Sequence, residues 1–238
     1  MNFPLFIALV LLSSILFVVW NQLRKARRAD FIRSYTLPAG LFDRLRKQRP
    51  ELSLKDCQLT SHALRQFFLA YLKSGCKLVS MPSQVADDLW HEFILYTKNY
   101  DLFCKQGFGR FLHHTPAVVL GTAQQNNAGL RRCWWFACRE ENINPRDPTR
   151  LPLLFALDSK LKVTDGFHYV ADCNSVRRKS SGSDSGGAVY CGGDFSSTSF
   201  DGGTEGFGDA SSDGGGFGDG GDSGCGSGCG GGGCGGGD

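Results

Sequence analysis

The chain has 238 residues, with 26 basic and 23 acidic side chains, ten cysteines, 32 glycines and a formal charge of +3. Once an apolar N-terminal run and a glycine-dominated C-terminal tract are set aside, the remaining length suits one domain and excludes a multidomain architecture. The small net charge hides a split. All 26 basic residues precede Ser180, whereas nine of the 23 acidic ones follow Lys179, so the first part carries +12 and the tail −9.

The first element is "FPLFIALVLLSSILFVVW", Phe3 to Trp20, which contains no charge. As a helix it spans about 27 Å at 1.5 Å per residue, close to the thickness of a bilayer core. Trp20 is placed for the interface and "RKARR", Arg24 to Arg28, follows at once, so the basic side is expected to stay cytoplasmic. A cleaved signal peptide is the competing reading. It wants a basic start and small residues at a cleavage site, whereas here "MN" precedes the run and arginines follow it. A peripheral amphipathic helix needs a polar face, and none is visible. We therefore read 1–22 as a transmembrane anchor of a cell inner membrane, N-terminus outside, and 23–34 as a basic juxtamembrane segment suited to anionic lipid, with the acidic tail folding back over the basic portion as the alternative. No nucleic-acid-reading motif accompanies the basic residues, and no nucleic-acid partner is expected. A cytosolic location also favours free thiols over disulfides.

From Leu41 to Leu161 the hydrophobic period is helical. "SLKD", Ser53 to Asp56, has the form of a capping box and starts a helix. Leu64, Phe67, Phe68, Tyr71 and Leu72 then share one face, and Gly75 offers a stop. After an extended "CKLVSM", Pro82 and Ser83 open a helix with Asp87 and Asp88 near its start, where acidic groups suit the helix dipole. Asn99 and Gly107 bracket a short helix "YDLFCKQ", and Thr115 and Pro116 cap another, "PAVVLGTAQQ". A helix from about Ala128 to Glu141 carries Leu130, Cys133, Trp134, Ala137 and Cys138 on one face. "LPLLFALDSKL" is a last helix and "GFHYVADC" a short strand or arm. The expected fold is mainly α, with a compact multi-helix domain at 35–176. The tract 177–238 is acidic and rich in Gly, Ser and Cys, and composition predicts it to be disordered.

The blocks "MPSQVADDLWHEFILYTKNYDLFC", "GFGRFLHHTP", "RLPLLFALDSKL" and "GFHYVADC" resemble the bacterial branch of the glycine-rich domain-containing proteins, which has plant relatives. The resemblance covers most of residues 35–174, and "GCGSGCGGGGCGGGD" looks like the glycine and cysteine tails of such proteins. It implies the domain and no established reaction. The plant-like pattern W-H-x-H has Phe93 at its second histidine position here, which argues against a two-histidine clamp at that motif.

The chemistry-bearing residues gather between 85 and 114. Asp87 and His91 are four apart and share a helix face, a spacing that lets a carboxylate orient an imidazole or lets both bind one cation. Cys104, His113 and His114 could return to that face and complete an N, O and S ligand set suited to zinc. The structural alternative pairs Asp87 with His91 and leaves His113 and His114 bonded to backbone carbonyls in a turn. Trp90 reads as a core ring, and Cys57, Cys76, Cys133 and Cys138 as core filling. His62 and His168 have no partner in sequence. Nucleophilic catalysis by a cysteine lacks a flanking pattern. Cys225, Cys229 and Cys234 read as part of a thiol-bearing interaction tail. The function expected is a membrane-anchored cytoplasmic binding or assembly module, meeting a protein partner through the domain or the tail. The alternative is a zinc-dependent enzyme built on Asp87, His91 and His114.

Overall fold

The computed structural model describes residues 3–114, 123–171 and 190–191, all within the unit Met1–Gly208. Helix α1 spans Phe3–Ser34. Its first part leaves Phe3, Leu9, Leu16 and Phe17 exposed. It is one helix, near the N-terminus, long and apolar enough to cross a membrane or to serve as a signal sequence. The helix does not break at the basic stretch. It runs on until Ala29 and Ile32 are buried in the core, so the domain begins inside the 23–34 segment and not at 35. Arg33 on this last turn binds Glu140 through both carboxylate oxygens, at 2.9 and 3.2 Å.

Helix α2, Leu41–Gln48, follows Gly40, whose φ of 81° a side chain would resist. Helix α3, Leu54–Lys73, starts with the expected capping box: Asp56 N donates to Ser53 Oγ at 3.3 Å, and Ser53 N to Asp56 Oδ2 at 2.9 Å. The five residues predicted to share its core face are all buried, but so are Cys57, Thr60, Ala63, Leu69 and Ala70. The reason is position: α3 is the hub, packed against α1, α2, α4 (Gln84–Leu95), α6 (Ala123–Glu140) and α7 (Leu153–Leu161). A two-faced pattern therefore understates its burial.

Helix α5, Thr97–Gly107, starts three residues before the expected "YDLFCKQ", after a break at Tyr96 that joins it to α4. Phe67, Phe68, Trp90, Phe93 and Phe103 form an aromatic cluster between α3, α4 and α5. In it Phe67–Trp90 centroids lie 5.0 Å apart and Phe68–Phe103 4.9 Å, separations at which ring pairs attract beyond the area they bury. Helix α6 extends further toward its N-terminus than the predicted Ala128 start, and of its predicted face Cys133, Trp134, Ala137 and Cys138 are buried while Leu130 is partly so. Residues 115–122, where most of the expected "PAVVLGTAQQ" helix falls, lie outside the described residues.

Strand β1, Tyr169–Val170, pairs in parallel with β2, Tyr190–Cys191. Strand β2 falls within the 177–238 tract read from composition as disordered, so backbone pairing extends beyond the predicted boundary at 176. The rest of that tract lies outside the described residues. Cys57, Cys76, Cys104, Cys133 and Cys138 are free thiols. Burial drives the core ones up, Cys138 to about 12 and Cys133 further in the same direction, so thiolates are scarce there.

Candidate functional site

The site is carried by α4, and α4 is fixed at its N-terminus by a residue 75 positions away. Ser83 caps the helix by accepting from Ala86 N at 3.3 Å, and its hydroxyl donates to Asp158 Oδ1 at 2.6 Å. Asp158 also accepts from Gln84 N at 2.7 Å, Val85 N at 3.3 Å and Phe167 N at 2.9 Å. A buried carboxylate is thus matched to the orphan donors and positive end of a helix. A Cβ at Gly166 would come within 2.5 Å of Asp158 Cβ, so only glycine admits this approach. Sequence reading missed Asp158, because nothing local in "FALDSKL" marks an aspartate as the cap of a distant helix.

With α4 so fixed, Val85, Ala86, Leu89, Trp90 and Phe93 face the core, and Asp87 and His91 share the opposite edge, four residues apart. Phe93 is fully buried, its ring 5.4 Å from that of Phe103. A histidine at that position, two residues on from His91, would point into the core and away from Asp87. The W-H-x-H departure therefore removes no ligand from this face.

The second half of the site arrives on the turn after α5. Tyr100 is 1% exposed. Its hydroxyl donates to Leu112 O at 2.5 Å and accepts from Trp90 Nε1 at 3.1 Å, which ties the turn to α4. Desolvation keeps this phenol protonated far beyond its ordinary range. His114 then lands with Nε2 3.0 Å from Asp87 Oδ1, its ring edge-on to Trp90 at 4.6 Å and 4.2 Å from the ring of His91. His91 Nδ1 lies 3.6 Å from Asp87 Oδ2. One ligand atom from each of Asp87, His91 and His114 falls within 4.8 Å of the others. The three side chains are 22%, 49% and 14% exposed, so the cluster opens to solvent on the His91 side.

Cys104 and His113 do not join them. Cys104 is fully buried on the core face of α5 with Tyr100, Phe103 and Gly107. Burial raises its thiol, which lies against the Leu112 backbone and the Tyr100 hydroxyl. It anchors the turn and offers no ligand. His113 is exposed beside Phe111, at 4.8 Å, because consecutive residues of an extended turn face opposite ways. His114 contacts a carboxylate and not the backbone carbonyl of the structural alternative. His168 binds Ser159 Oγ at 3.0 Å, and His62 is exposed.

Two histidines and a carboxylate form a ligand set for a transition metal with positions left open. Around zinc, with bonds of about 2.0–2.1 Å, tetrahedral ligand atoms stand about 3.3 Å apart. Modest side-chain rotation, chiefly of the half-exposed His91, covers the difference from the spacing seen here.

Fold and site together define a helical domain, continuous with an apolar N-terminal helix, that presents a two-histidine, one-aspartate cluster. The chain belongs to the UCP032817-like family, whose sequence model matches residues 27–195. That match begins two residues before α1 becomes buried and ends just after β2. No curated protein and no solved structure matches the chain.

Proposed function

We propose that this protein is a single-pass membrane protein of a bacterial inner membrane, its N-terminus outside and its domain in the cytosol, and that the domain acts as a binding or assembly module. The bare apolar side chains of α1 followed by Arg24, Lys25, Arg27 and Arg28 support the anchor and its orientation. The block order from Met81 to Cys173 supports placing it with the bacterial branch of the glycine-rich domain-containing proteins. The acidic tail serves in this reading as a further interaction segment.

The point of recognition is the face of Asp87, His91 and His114. The observation that carries this is their convergence on an accessible edge; among the described residues no other group of three metal-binding side chains meets in this way. A partner's acidic or imidazole side chain could bond there directly or complete the coordination of a shared ion. A second reading, a zinc-dependent enzyme, rests on the same open side, where a bound water would face solvent. Glu92, the neighbouring carboxylate, is not free to act as its base, because it is buried and held by Arg44 and by Gln48 at 2.6 Å.

Metal content of the full chain, purified in detergent without a metal-binding tag, tests both readings. About one equivalent of zinc is expected, with affinity reduced by His91→Ala or His114→Ala by more than the roughly 10–100-fold that loss of an orienting group costs, and unaltered by Cys104→Ala or His113→Ala. A metal-free, folded protein would end the enzymatic reading and leave direct recognition. Zinc lost with Cys104→Ala would refute the ligand set.

A further inference from the structure

Where α1 leaves its apolar run, one face of the helix lines an open groove of about 480 Å³. Trp20, Leu23 and Phe31 supply its apolar wall, Arg24, Arg27 and Arg28 its charge, and Gln106 of α5 completes the lining. The α1 residues recur at helical spacing, so a single face presents all three guanidinium groups to one volume. Arg24 stacks on Trp20, 5.3 Å from the ring centroid. Arg28 is steadied by donating to Phe108 O at 2.9 Å. Among the described residues no carboxylate forms an ion pair with any of the three. The positive charge is crowded: desolvation and the neighbouring Arg24 both hold the Arg28 guanidinium below its ordinary range.

We propose that this groove is a binding site for the headgroup of an anionic phospholipid, with Arg24 and Arg27 on the phosphate and Trp20 and Leu23 against the adjoining acyl region. The proposal rests on the membrane anchoring of α1 proposed above. Position is the first argument. At 1.5 Å per residue, Arg24 lies about 6 Å and Arg28 about 12 Å beyond Trp20, and the headgroup layer begins where the apolar run ends. Charge is the second, because guanidinium forks suit phosphate oxygens and, among the described residues, no carboxylate pairs with them. Size is the third, since the volume falls within the range of about 300–1,000 Å³ typical of small-ligand sites. The groove is continuous with the lipid-facing surface of α1, which a protein partner or a nucleic acid would not reach without leaving that layer.

The test is native mass spectrometry of the full chain, released from detergent in the presence of phosphatidylglycerol or phosphatidylcholine. Preferential retention of phosphatidylglycerol is expected, falling roughly tenfold for each of Arg24→Gln and Arg27→Gln, from the loss of a charge-assisted guanidinium–phosphate hydrogen bond. Lys25→Gln removes the same charge from a neighbouring position outside the groove and should leave retention nearly unaltered. Equal retention of the two lipids, or equal losses in the Arg27 and Lys25 variants, overturns the site in favour of diffuse attraction. Selectivity that emerges only after deletion of residues 196–238 overturns it in favour of the acidic tail as occupant. Alkaline carbonate extraction of the protein from vesicles separates the two layers of inference. A chain washed from the membrane loses the anchor itself, whereas a retained chain without lipid preference loses only the groove.

Discussion

Two aspartates beside α4 are used in opposite ways. Asp158 is 1% exposed, and its oxygens accept from three backbone N–H groups and one hydroxyl. Its partners are groups that must be satisfied when buried, so the carboxylate and the helix end complete each other. Asp87, less than two turns along the same helix, meets two imidazoles, one of them half exposed. Those rings can turn to a cation or to an incoming side chain. A saturated carboxylate holds the fold, and one facing convergent, rotatable donors leaves capacity for a ligand.

The sharpest way to break the comparison is to remove one member of each set. Asp158→Ala leaves Gln84, Val85 and Phe167 N–H groups without their acceptor and should cost about 3–5 kcal/mol in urea unfolding of the detergent-solubilised chain, followed by tryptophan fluorescence. His91→Ala should stay within about 0.5 kcal/mol, as for an exposed side chain. Comparable losses in both would make the Asp87 cluster architecture like the other.

A smaller effect should come from Tyr100→Phe. It removes the bond to Leu112 O and the acceptor of Trp90 Nε1, at a cost of about 1–2 kcal/mol. Because that bond sets the turn bearing His114, the same variant should weaken zinc binding roughly tenfold, as loss of a ligand-orienting group does. Titration with a competing chelator would show it. Unaltered affinity would mean that the turn is held without Tyr100.

The smallest effect concerns carboxylates that tie helices at the surface. Burial raises the Glu140 carboxyl, but its bonds to Arg33 and Lys73 outweigh this and hold it below its ordinary value. The bond to Arg49 does the same for Asp165. Such groups stabilise the fold above the ordinary carboxyl range, about 3.9–4.3, and the contribution is lost as pH falls through the lower folded value. Glu140→Gln should therefore show a shallower loss of stability between about pH 5 and pH 3 than the parent chain. Parallel acid profiles would count against the tie between α1, α3 and α6.

What could be read from the chain was what its near neighbours decide. The capping box at Ser53 and Asp56, the cap at Ser83, the apolar run from Phe3 to Trp20 and the shared face of Asp87 and His91 all depend on residues within one or two turns, where backbone geometry leaves few alternatives. The tertiary structure alone decided the rest. It brought His114 across 27 positions to Asp87, on a turn fixed by Tyr100, and turned Cys104 into the core although it shares the same stretch of sequence. It extended α1 unbroken into the domain, and it placed Asp158, silent in its own segment, at the end of α4. Each of these is settled by which buried polar groups find partners and which apolar surfaces close on one another, and those conditions exist only once distant segments have met.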